Sequence, residues 1–404
     1  MTSHERISAR ISAIAPSATL AVDARAKELK AAGRPVIGFG AGEPDFPTPA
    51  FIVDAARAAL DDPANFRYTP AAGLPQLRRA IAEKTARDSG WEVEPSQVVV
   101  TNGGKQAVYN TFATLLNPGD EVIVFSPYWV SYEEMVKLAD GVTVPLLGAL
   151  ENDYKVTAAQ LEAAITPRTK LIMYSSPCNP TGAVFSKEEL GEIAAVLAKH
   201  PRIWAVADEI YEYINFVGEH YSLARFPEVA ERVVTVNGFS KGYAMTGWRI
   251  GYLAARADVA AACDKLQSQF TSATCSITQR AGLAALRGGR ASADEMVAAY
   301  RRRRDLVLDI VRDIPGLITP TPEGAFYIFP DVSAFLGRRT AEGQVITNVA
   351  ELALYLLQDA HVAAVPGDAF GAPNCMRFST ASADEKLVEA FRRIKVSLAK
   401  LMVN

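Results

Sequence analysis

The chain has 404 residues, of which 49% are hydrophobic and 22% charged, and its formal net charge is −3 at pH 7. This length exceeds a single compact core, so two or three domains are expected, and the composition is that of an ordered globular protein. The near-neutral charge excludes an overall basic field, and neither nucleic acid nor a membrane is expected as a partner. With no apolar stretch of 18 residues and no visible secretion signal, a cytoplasmic location is expected.

The first 48 residues are predicted to lie outside the main sheet. Residues 1–15 are interpreted as an N-terminal arm, and residues 21–30 as a helix whose apolar stripe needs a partner elsewhere in the chain. We therefore expect residues 16–48 to form a small domain together with residues 291–404.

Residues 49–290 alternate helical patterns with short β-branched runs, including QVVVT, EVIVFS, KLIMYSS, IWAVADE and RVVTVNGFS. This alternation is typical of parallel strands joined by helices, and runs that are apolar throughout suit strands covered on both faces. The pattern predicts a large α/β domain with a mostly parallel sheet. Beyond residue 290, a long helix and a mixed order of strands and helices predict a smaller α+β domain. The arginine run at residues 301–304 is interpreted as a solvated helix face.

Polar segments follow the apolar runs at the points where the predicted strands end. Open α/β sheets bind ligands beyond the carboxyl ends of their strands, so these segments predict one shared site. They are residues 102–105, 126–129, 175–182, 208–211 and 238–241.

Asp208 and Lys241 each lie at the end of a predicted strand. An amino-group transfer needs a lysine that holds an aldehyde cofactor covalently and an acid that keeps the pyridine nitrogen of that cofactor protonated. A carboxylate against a pyridinium is expected to stay ionised, because the opposite charge lowers its pKa more than burial raises it. The alternatives are an ordinary helix N-cap for Asp208 and a surface lysine for Lys241.

The segment around Lys241, GFSKGYAMTGWRIG, resembles the cofactor-lysine signature of the class I pyridoxal-phosphate aminotransferases of fold type I. Further motifs of that family follow in the right order and span nearly the whole chain. They are GEPDF at 42–46, RYTPAAGLPQLR at 67–78, SSPCNPTG at 175–182, DEIY at 208–211, and VPGDAF and CMRFS within 365–379.

The resemblance implies pyridoxal 5′-phosphate as the cofactor, held covalently by Lys241, with Asp208 at its pyridine nitrogen. Tyr211 and Asn179 would hydrogen-bond its phenolic oxygen, and Trp129 would stack on its ring. Residues implied for the phosphate are Gly103, Gly104, Lys105, Ser240 and Arg249, with Tyr68 from a neighbouring subunit. A homodimer with shared active sites is therefore implied. A glycine loop that leads into a helix N-terminus is also a physically sensible anion site.

The substrates implied are amino acids and 2-oxo acids. Arg377 would bind the α-carboxylate as a bidentate pair near the backbone of Gly42, with Trp129 and Asn179 alongside. The segments GGKQ and SPYWVSY resemble a bacterial branch of aspartate aminotransferases in which the lysine at Lys105 meets the distal carboxylate of the substrate. Transfer from aspartate to 2-oxoglutarate is therefore expected.

Three alternatives remain. Members of the same branch transaminate prephenate, and many of them carry a basic residue where this chain has Ala15, which weakens that interpretation. A pyridoxal-phosphate lyase shares the lysine, aspartate and arginine. A regulator without catalysis would need a DNA-binding helix-turn-helix. The four cysteines lack zinc-site spacing and the four histidines fall outside every motif, so no metal is expected. A dinucleotide fingerprint is also absent from the sequence.

Overall fold

The structure is a computed structural model that describes residues 7–402. The helices are α1 Ala9–Ser12, α2 Ala18–Ala31, α3 Ala50–Leu60, α4 Pro75–Lys84, α5 Gly104–Leu115, α6 Ser131–Leu138, α7 Ala158–Ala164, α8 Lys187–Lys199, α9 Pro227–Ala230, α10 Ala257–Phe270, α11 Ser276–Arg287, α12 Ala291–Arg312, α13 Val349–Tyr355 and α14 Asp384–Leu398. The strands are β1 Ile37–Gly38, β2 Val98–Thr101, β3 Glu121–Ser126, β4 Val142–Leu147, β5 Thr169–Ser175, β6 Trp204–Asp208, β7 Val233–Gly238, β8 Gly251–Ala254, β9 Tyr327–Ile328, β10 Val362–Ala363, β11 Val365–Pro366 and β12 Met376–Ser379.

Seven strands form the main sheet in the order β2-β8-β7-β6-β5-β3-β4. Strand β8 runs antiparallel to both of its neighbours, and the other paired strands run parallel. Every residue of β2, β3 and β6 is buried, as expected for apolar strands covered by helices on both faces. The predicted α/β fold with a mostly parallel sheet is confirmed.

The sheet is covered by different helices on its two sides. Val108 and Phe112 of α5 pack with Val136 of α6 in one buried cluster. Leu190 and Ile193 of α8 belong to another cluster, with residues of β5 and β6. Because both faces are buried, a ligand can reach the sheet only at an edge or at the strand ends.

A separate apolar cluster joins the carboxyl-terminal half of α12, α14 and two small sheets, β1-β10 and β11-β12-β9. Its centre contains Phe39, Phe378 and Phe391, whose ring centres lie 5.3–6.2 Å apart. Helix α2 packs beside this cluster through Ala26, which contacts Val36 and Ala363.

The domain boundaries at residues 15/16, 48/49 and 290/291 stay a prediction. Helix α12 begins at the last of these boundaries and enters both cores. Ala293, in its first turn, belongs to an apolar cluster of the large sheet, whereas Val307 belongs to the cluster of the small sheets. This single helix therefore connects the two cores.

The interpretation of residues 301–304 as a solvated face is wrong for Arg303. This side chain is 7% exposed and forms ion pairs with Asp45 at 2.8 Å and with Asp384 at 3.2 Å. A buried guanidinium with two carboxylate partners is a structural cation. It ties α12 to the GEPDF segment and to the start of α14.

Among the helices of residues 7–402, none has the length and apolar composition that a membrane-spanning helix requires.

Candidate active site

A cavity of about 330 Å³ opens at the carboxyl ends of the parallel strands. All five polar segments that follow the predicted strands contribute to its wall, through Lys105, Trp129, Asn179, Asp208 and Lys241 among others. The opposite side of the cavity is lined by residues outside the large sheet, among them Gly42, Tyr327 and Arg377. The predicted convergence of these segments on one edge of the sheet is therefore observed.

Lys241 directs its amine into this cavity, where Nζ donates a hydrogen bond to the carbonyl oxygen of Gly42. Burial lowers the pKa of Lys241 to about 8, and the negative charge of Glu43 opposes this shift. A lowered pKa increases the neutral fraction of the amine near pH 7. The neutral amine is the form that attacks an aldehyde and accepts a proton.

Asp208 is buried at the end of β6, and neighbouring donors fix both of its carboxylate oxygens. The hydroxyl of Tyr132 donates to Oδ2 at 2.6 Å, and the amide of Ile210 donates to Oδ1 at 3.1 Å. Burial raises the pKa of Asp208 to about 6, while these two donors oppose the shift. No lysine or arginine within residues 7–402 forms an ion pair with it. Tyr132 was missed in the sequence analysis, although it ends the SPYWVSY segment.

Arg377 lies on β12 and is 1% exposed. Its Nη1 donates to Oδ1 of Asn179 at 2.9 Å and its Nη2 to the carbonyl oxygen of Gly40 at 2.7 Å, while its Nε has no hydrogen-bond partner in the described part of the chain. The rings of Tyr327 and Phe370 lie 4.6 and 4.9 Å from the guanidinium. Within residues 7–402 it forms no ion pair. A buried cation without an anion is costly, so this geometry favours an anionic ligand.

Tyr211 is buried beside these groups, and its hydroxyl lies 2.7 Å from the hydroxyl of Tyr327. Burial raises the pKa of both phenols, so they stay neutral hydrogen-bonding groups at physiological pH. Tyr327 comes from the short strand β9. No local sequence pattern distinguishes Tyr327, because only the fold brings β9 to the cavity.

The anion end of the cavity is formed by the N-terminus of α5 and by Arg249. Gly104 begins α5 and lines the cavity, as does Ser240. Arg249 is exposed to the cavity, and its Nη1 donates to the carbonyl oxygen of Thr246 at 2.8 Å. Unpaired helix amides beside an arginine form a suitable phosphate site.

The structure corrects the expectation for Gly103. Its amide donates to the carbonyl oxygen of Thr101 at 2.8 Å, and it does not line the cavity. Its φ is +80°, and a Cβ at this position would lie 2.9 Å from Cζ of Arg249. Gly103 therefore supplies a backbone turn and space for the guanidinium, and its amide is not free to bind a phosphate.

Lys105 lies at the opening of the cavity with its Nζ 4.9 Å from the ring centre of Trp129. The side chain still reaches water, but the concave surroundings displace part of its hydration shell. This desolvation lowers the pKa of Lys105, and the nearby positive charge of Arg249 lowers it further by a smaller amount. Lys105 forms no ion pair within residues 7–402, which leaves its charge available to a ligand.

Tyr68 lies outside the cavity of its own chain and is 97% exposed. Its segment borders a surface depression that it shares with residues 273–276. A single chain therefore does not bring Tyr68 to the other predicted residues.

A buried charged cluster below the site was missed in the sequence analysis. Glu209, Glu212 and His220 bring their ligand atoms within 4.8 Å of one another. Lys84 forms an ion pair with Glu212, and His220 lies 3.4 Å from Glu209. Burial lowers the pKa of His220, but the two glutamates outweigh this effect and raise it. Lys84 and His220 are thus the basic partners of these two carboxylates.

Comparison with known proteins identifies the class. Residues 34–394 match the family "Aminotransferase class I and II". The chain is 50% identical over 397 residues to an aspartate aminotransferase of Streptomyces avermitilis, which covers 98% of this chain and 97% of that protein. It is 46% identical to an aspartate/prephenate aminotransferase of Cereibacter sphaeroides, with 98% and 99% coverage. The solved structure of the aspartate aminotransferase from Thermus thermophilus with maleate is 43% identical, with 97% and 99% coverage and a TM-score of 0.90.

The fold and the match place this chain among the pyridoxal-phosphate enzymes of fold type I. It belongs to the class I and II aminotransferase family. The cavity fits the cofactor of that family. It offers a buried carboxylate that forms no ion pair within residues 7–402, an amine with a lowered pKa, and an anion site at Arg249.

Proposed function

We propose that this protein transfers the amino group of L-aspartate to 2-oxoglutarate, giving oxaloacetate and L-glutamate. The observation that carries the proposal is a single cavity lined by Lys241, Asp208 and Arg377, with a second free cation, Lys105, at its opening. The two cations suit the two carboxylates of a dicarboxylic amino acid. The relatives named as aspartate aminotransferases and the solved relative with maleate support this choice.

When bound, pyridoxal 5′-phosphate supplies an electron sink that stabilises negative charge at the α-carbon of the amino acid. Asp208 would hold a positive charge on the ring nitrogen, and Tyr211 and Asn179 would donate to the phenolic oxygen. Trp129 would cover the ring. Ser240, Arg249 and the backbone amides of Gly104 and Lys105 would bind the phosphate, with Gly103 giving Arg249 its space.

Arg377 would orient the substrate through its α-carboxylate. Two of its nitrogens are already held by Asn179 and Gly40, so the guanidinium is fixed before the substrate arrives. Once displaced from the cofactor, the Nζ of Lys241 would take the proton from the α-carbon of the substrate. It would then donate this proton to a second atom within the same cavity. Burial of the cavity would keep water from competing for this proton.

We further propose a cytoplasmic homodimer in which Tyr68 reaches the phosphate site of the partner. The support is the extreme exposure of Tyr68 together with its distance from the cavity of its own chain. A tyrosine side chain that is almost fully exposed in its own chain is typical of an interface residue.

The decisive test compares Lys241→Ala with Lys199→Ala, a matched lysine that forms a surface ion pair with Glu162. Glutamate formation from 2-oxoglutarate is measured with aspartate, aromatic and aliphatic donors, and with prephenate as a competing acceptor. We expect aspartate to be the best donor, Lys199→Ala to retain activity, and Lys241→Ala to lose it with unchanged circular dichroism. Transamination by folded Lys241→Ala would refute the proposal, and release of ammonia instead of glutamate would indicate a lyase.

A further inference from the structure

Residues 65–74 form a segment that projects two aromatic rings into solvent. Phe66 is 65% exposed and Tyr68 is 97% exposed, so neither ring is held by apolar packing within its own chain. Ala72 and Leu74 are buried in two apolar clusters of the large sheet, so apolar packing anchors the carboxyl-terminal end of the segment. The backbone beside the exposed rings lacks this packing, and polar contacts must offset the conformational entropy that its ordering costs.

Gln279 of α11 supplies such polar contacts to the segment. Its side chain is fully buried, and its Oε1 accepts the amide hydrogen of Leu74 at 2.7 Å. Its Nε2 donates to Oγ1 of Thr69 at 3.0 Å and to the carbonyl oxygen of Thr274 at 2.7 Å. The side-chain amide of Gln279 therefore connects α11 to Thr69, directly after Tyr68, and to Leu74, directly before α4.

A second buried amide and one arginine hold the rest of the segment. Gln267 donates to the carbonyl oxygens of Ala71 and Val100, both at 2.8 Å. At the other end, Nε of Arg280 donates to Oδ1 of Asn65 at 3.0 Å. The backbone on both sides of Tyr68 is thus fixed by side chains from α10 and α11.

We infer that Gln279 is a positioning residue for Tyr68 and thereby sets the affinity of the neighbouring subunit for the cofactor phosphate. The inference rests on the proposed role of Tyr68 across the interface. Gln279 touches neither cofactor nor substrate in this arrangement. It acts by fixing the point from which the phenol extends, because a hydrogen bond to phosphate tolerates only a small displacement of its donor.

The test is a double-mutant cycle between Tyr68→Phe and Thr69→Val, read as the dissociation constant of pyridoxal phosphate from the dimer. Thr69→Val removes the acceptor of Gln279 at the half-buried end of the network and leaves Gln279 itself in place. We expect Tyr68→Phe to weaken binding about tenfold, and Thr69→Val to weaken it by about three- to tenfold. The double variant should bind as Tyr68→Phe does, because a displaced ring without its hydroxyl has nothing further to lose.

Gln279→Glu provides a second variant of nearly the same shape, which keeps an acceptor for the amide of Leu74 but loses both donors. It should weaken cofactor binding with the same dependence on the Tyr68 hydroxyl. Thr85→Val is the matched control, since it removes one buried hydrogen bond, to the carbonyl oxygen of Ile81, in α4 and its extension. It should leave cofactor affinity unchanged.

Four outcomes overturn the inference. Losses from Thr69→Val and Gln279→Glu that are equal in the presence and absence of the Tyr68 hydroxyl would show a merely structural effect. A parallel loss of the dimer, measured by sedimentation, would have the same meaning. Unchanged affinity in both variants, with Tyr68→Phe still weakened, would refute the role of Gln279 alone. Unchanged affinity in Tyr68→Phe would refute the proposed role of Tyr68 and this inference with it.

Discussion

Burial is the main cause of the shifted pKa values of Lys241 and Asp208, the two ionisable residues at the centre of the site. Burial lowers the pKa of Lys241 to about 8 and raises the pKa of Asp208 to about 6, so both ionisation equilibria move towards neutrality. The hydroxyl of Tyr132 opposes the second shift by donating to the carboxylate of Asp208. Tyr132 is therefore the residue that most directly keeps Asp208 ionised before the pyridinium arrives.

Tyr132→Phe should make cofactor binding more sensitive to acid. A hydrogen bond to a charged group contributes roughly 1.5–3 kcal/mol, which corresponds to about one pKa unit or more. The pKa of Asp208 should therefore rise further, and cofactor affinity should begin to fall about one pH unit higher than in the unmodified protein. The measurement is fluorescence titration of the stripped protein with cofactor between pH 5 and pH 8.

Tyr128→Phe is the control for that experiment. Its hydroxyl donates to Glu133 at 2.9 Å, in the same segment of sequence but away from Asp208. Its affinity profile should overlay that of the unmodified protein. Identical profiles for both tyrosine variants would contradict the assigned role of Tyr132.

Lys105→Ala should reduce kcat/KM about 10- to 100-fold for aspartate and glutamate, the range expected for one charge-assisted contact to a partly desolvated ligand. Aromatic and aliphatic amino acids have no second carboxylate and should lose much less. Lys105→Arg retains the positive charge and should retain most of the preference. Steady-state kinetics with paired donors provide the measurement, and equal losses across all donors would remove Lys105 from substrate recognition.

At the scale of secondary-structure elements, the turn from β2 into α5 determines where Arg249 can lie. Gly103→Ala and Gly119→Ala test this with a matched pair, because φ is +80° at the first position and +85° at the second. A Cβ at Gly103 meets Arg249, whereas a Cβ at Gly119 meets nothing within 4 Å. Both variants should lose about 1–2 kcal/mol of stability to backbone strain.

Only Gly103→Ala should also weaken cofactor binding, by tenfold or more, because Arg249 must move. Thermal denaturation and cofactor titration together separate the two effects. Equal cofactor affinity in the two variants would show that the space beside Arg249 is unimportant.

Five strands of the large sheet, β2, β3, β5, β6 and β7, were predictable because each is a short apolar run followed by a polar segment, whereas β4 and β8 were not predicted. Asp208 and Lys241 could be assigned to one edge on that basis alone. Tyr132 and Tyr327 could not, because they meet Asp208 and Tyr211 across 76 and 116 residues of chain. The buried Arg303 was misinterpreted for the same reason, since its partner Asp45 lies 258 residues away. Such pairings depend on tertiary packing and leave no local pattern.

At the scale of the whole molecule, Tyr68 does not line the cavity of its own chain. The proposed dimer predicts complementation between two damaged chains, Lys241→Ala and Tyr68→Ala. If Tyr68 acts across the interface, the mixed dimer contains one site with both lesions and one site with neither. Its activity should be about half that of the unmodified dimer, and its cofactor affinity at the active site should be unchanged.

The matched control carries the same two lesions in one chain, paired with an unmodified chain. Across the interface, this dimer has one site that lacks Lys241 and one that lacks Tyr68, so its remaining activity should require higher cofactor concentrations. A tyrosine that acts within its own chain would reverse the two results, because the control would then keep the intact site. Differentially tagged chains, purified as mixed dimers and assayed across cofactor concentrations, distinguish these arrangements without relying on the loss of activity in either homodimer.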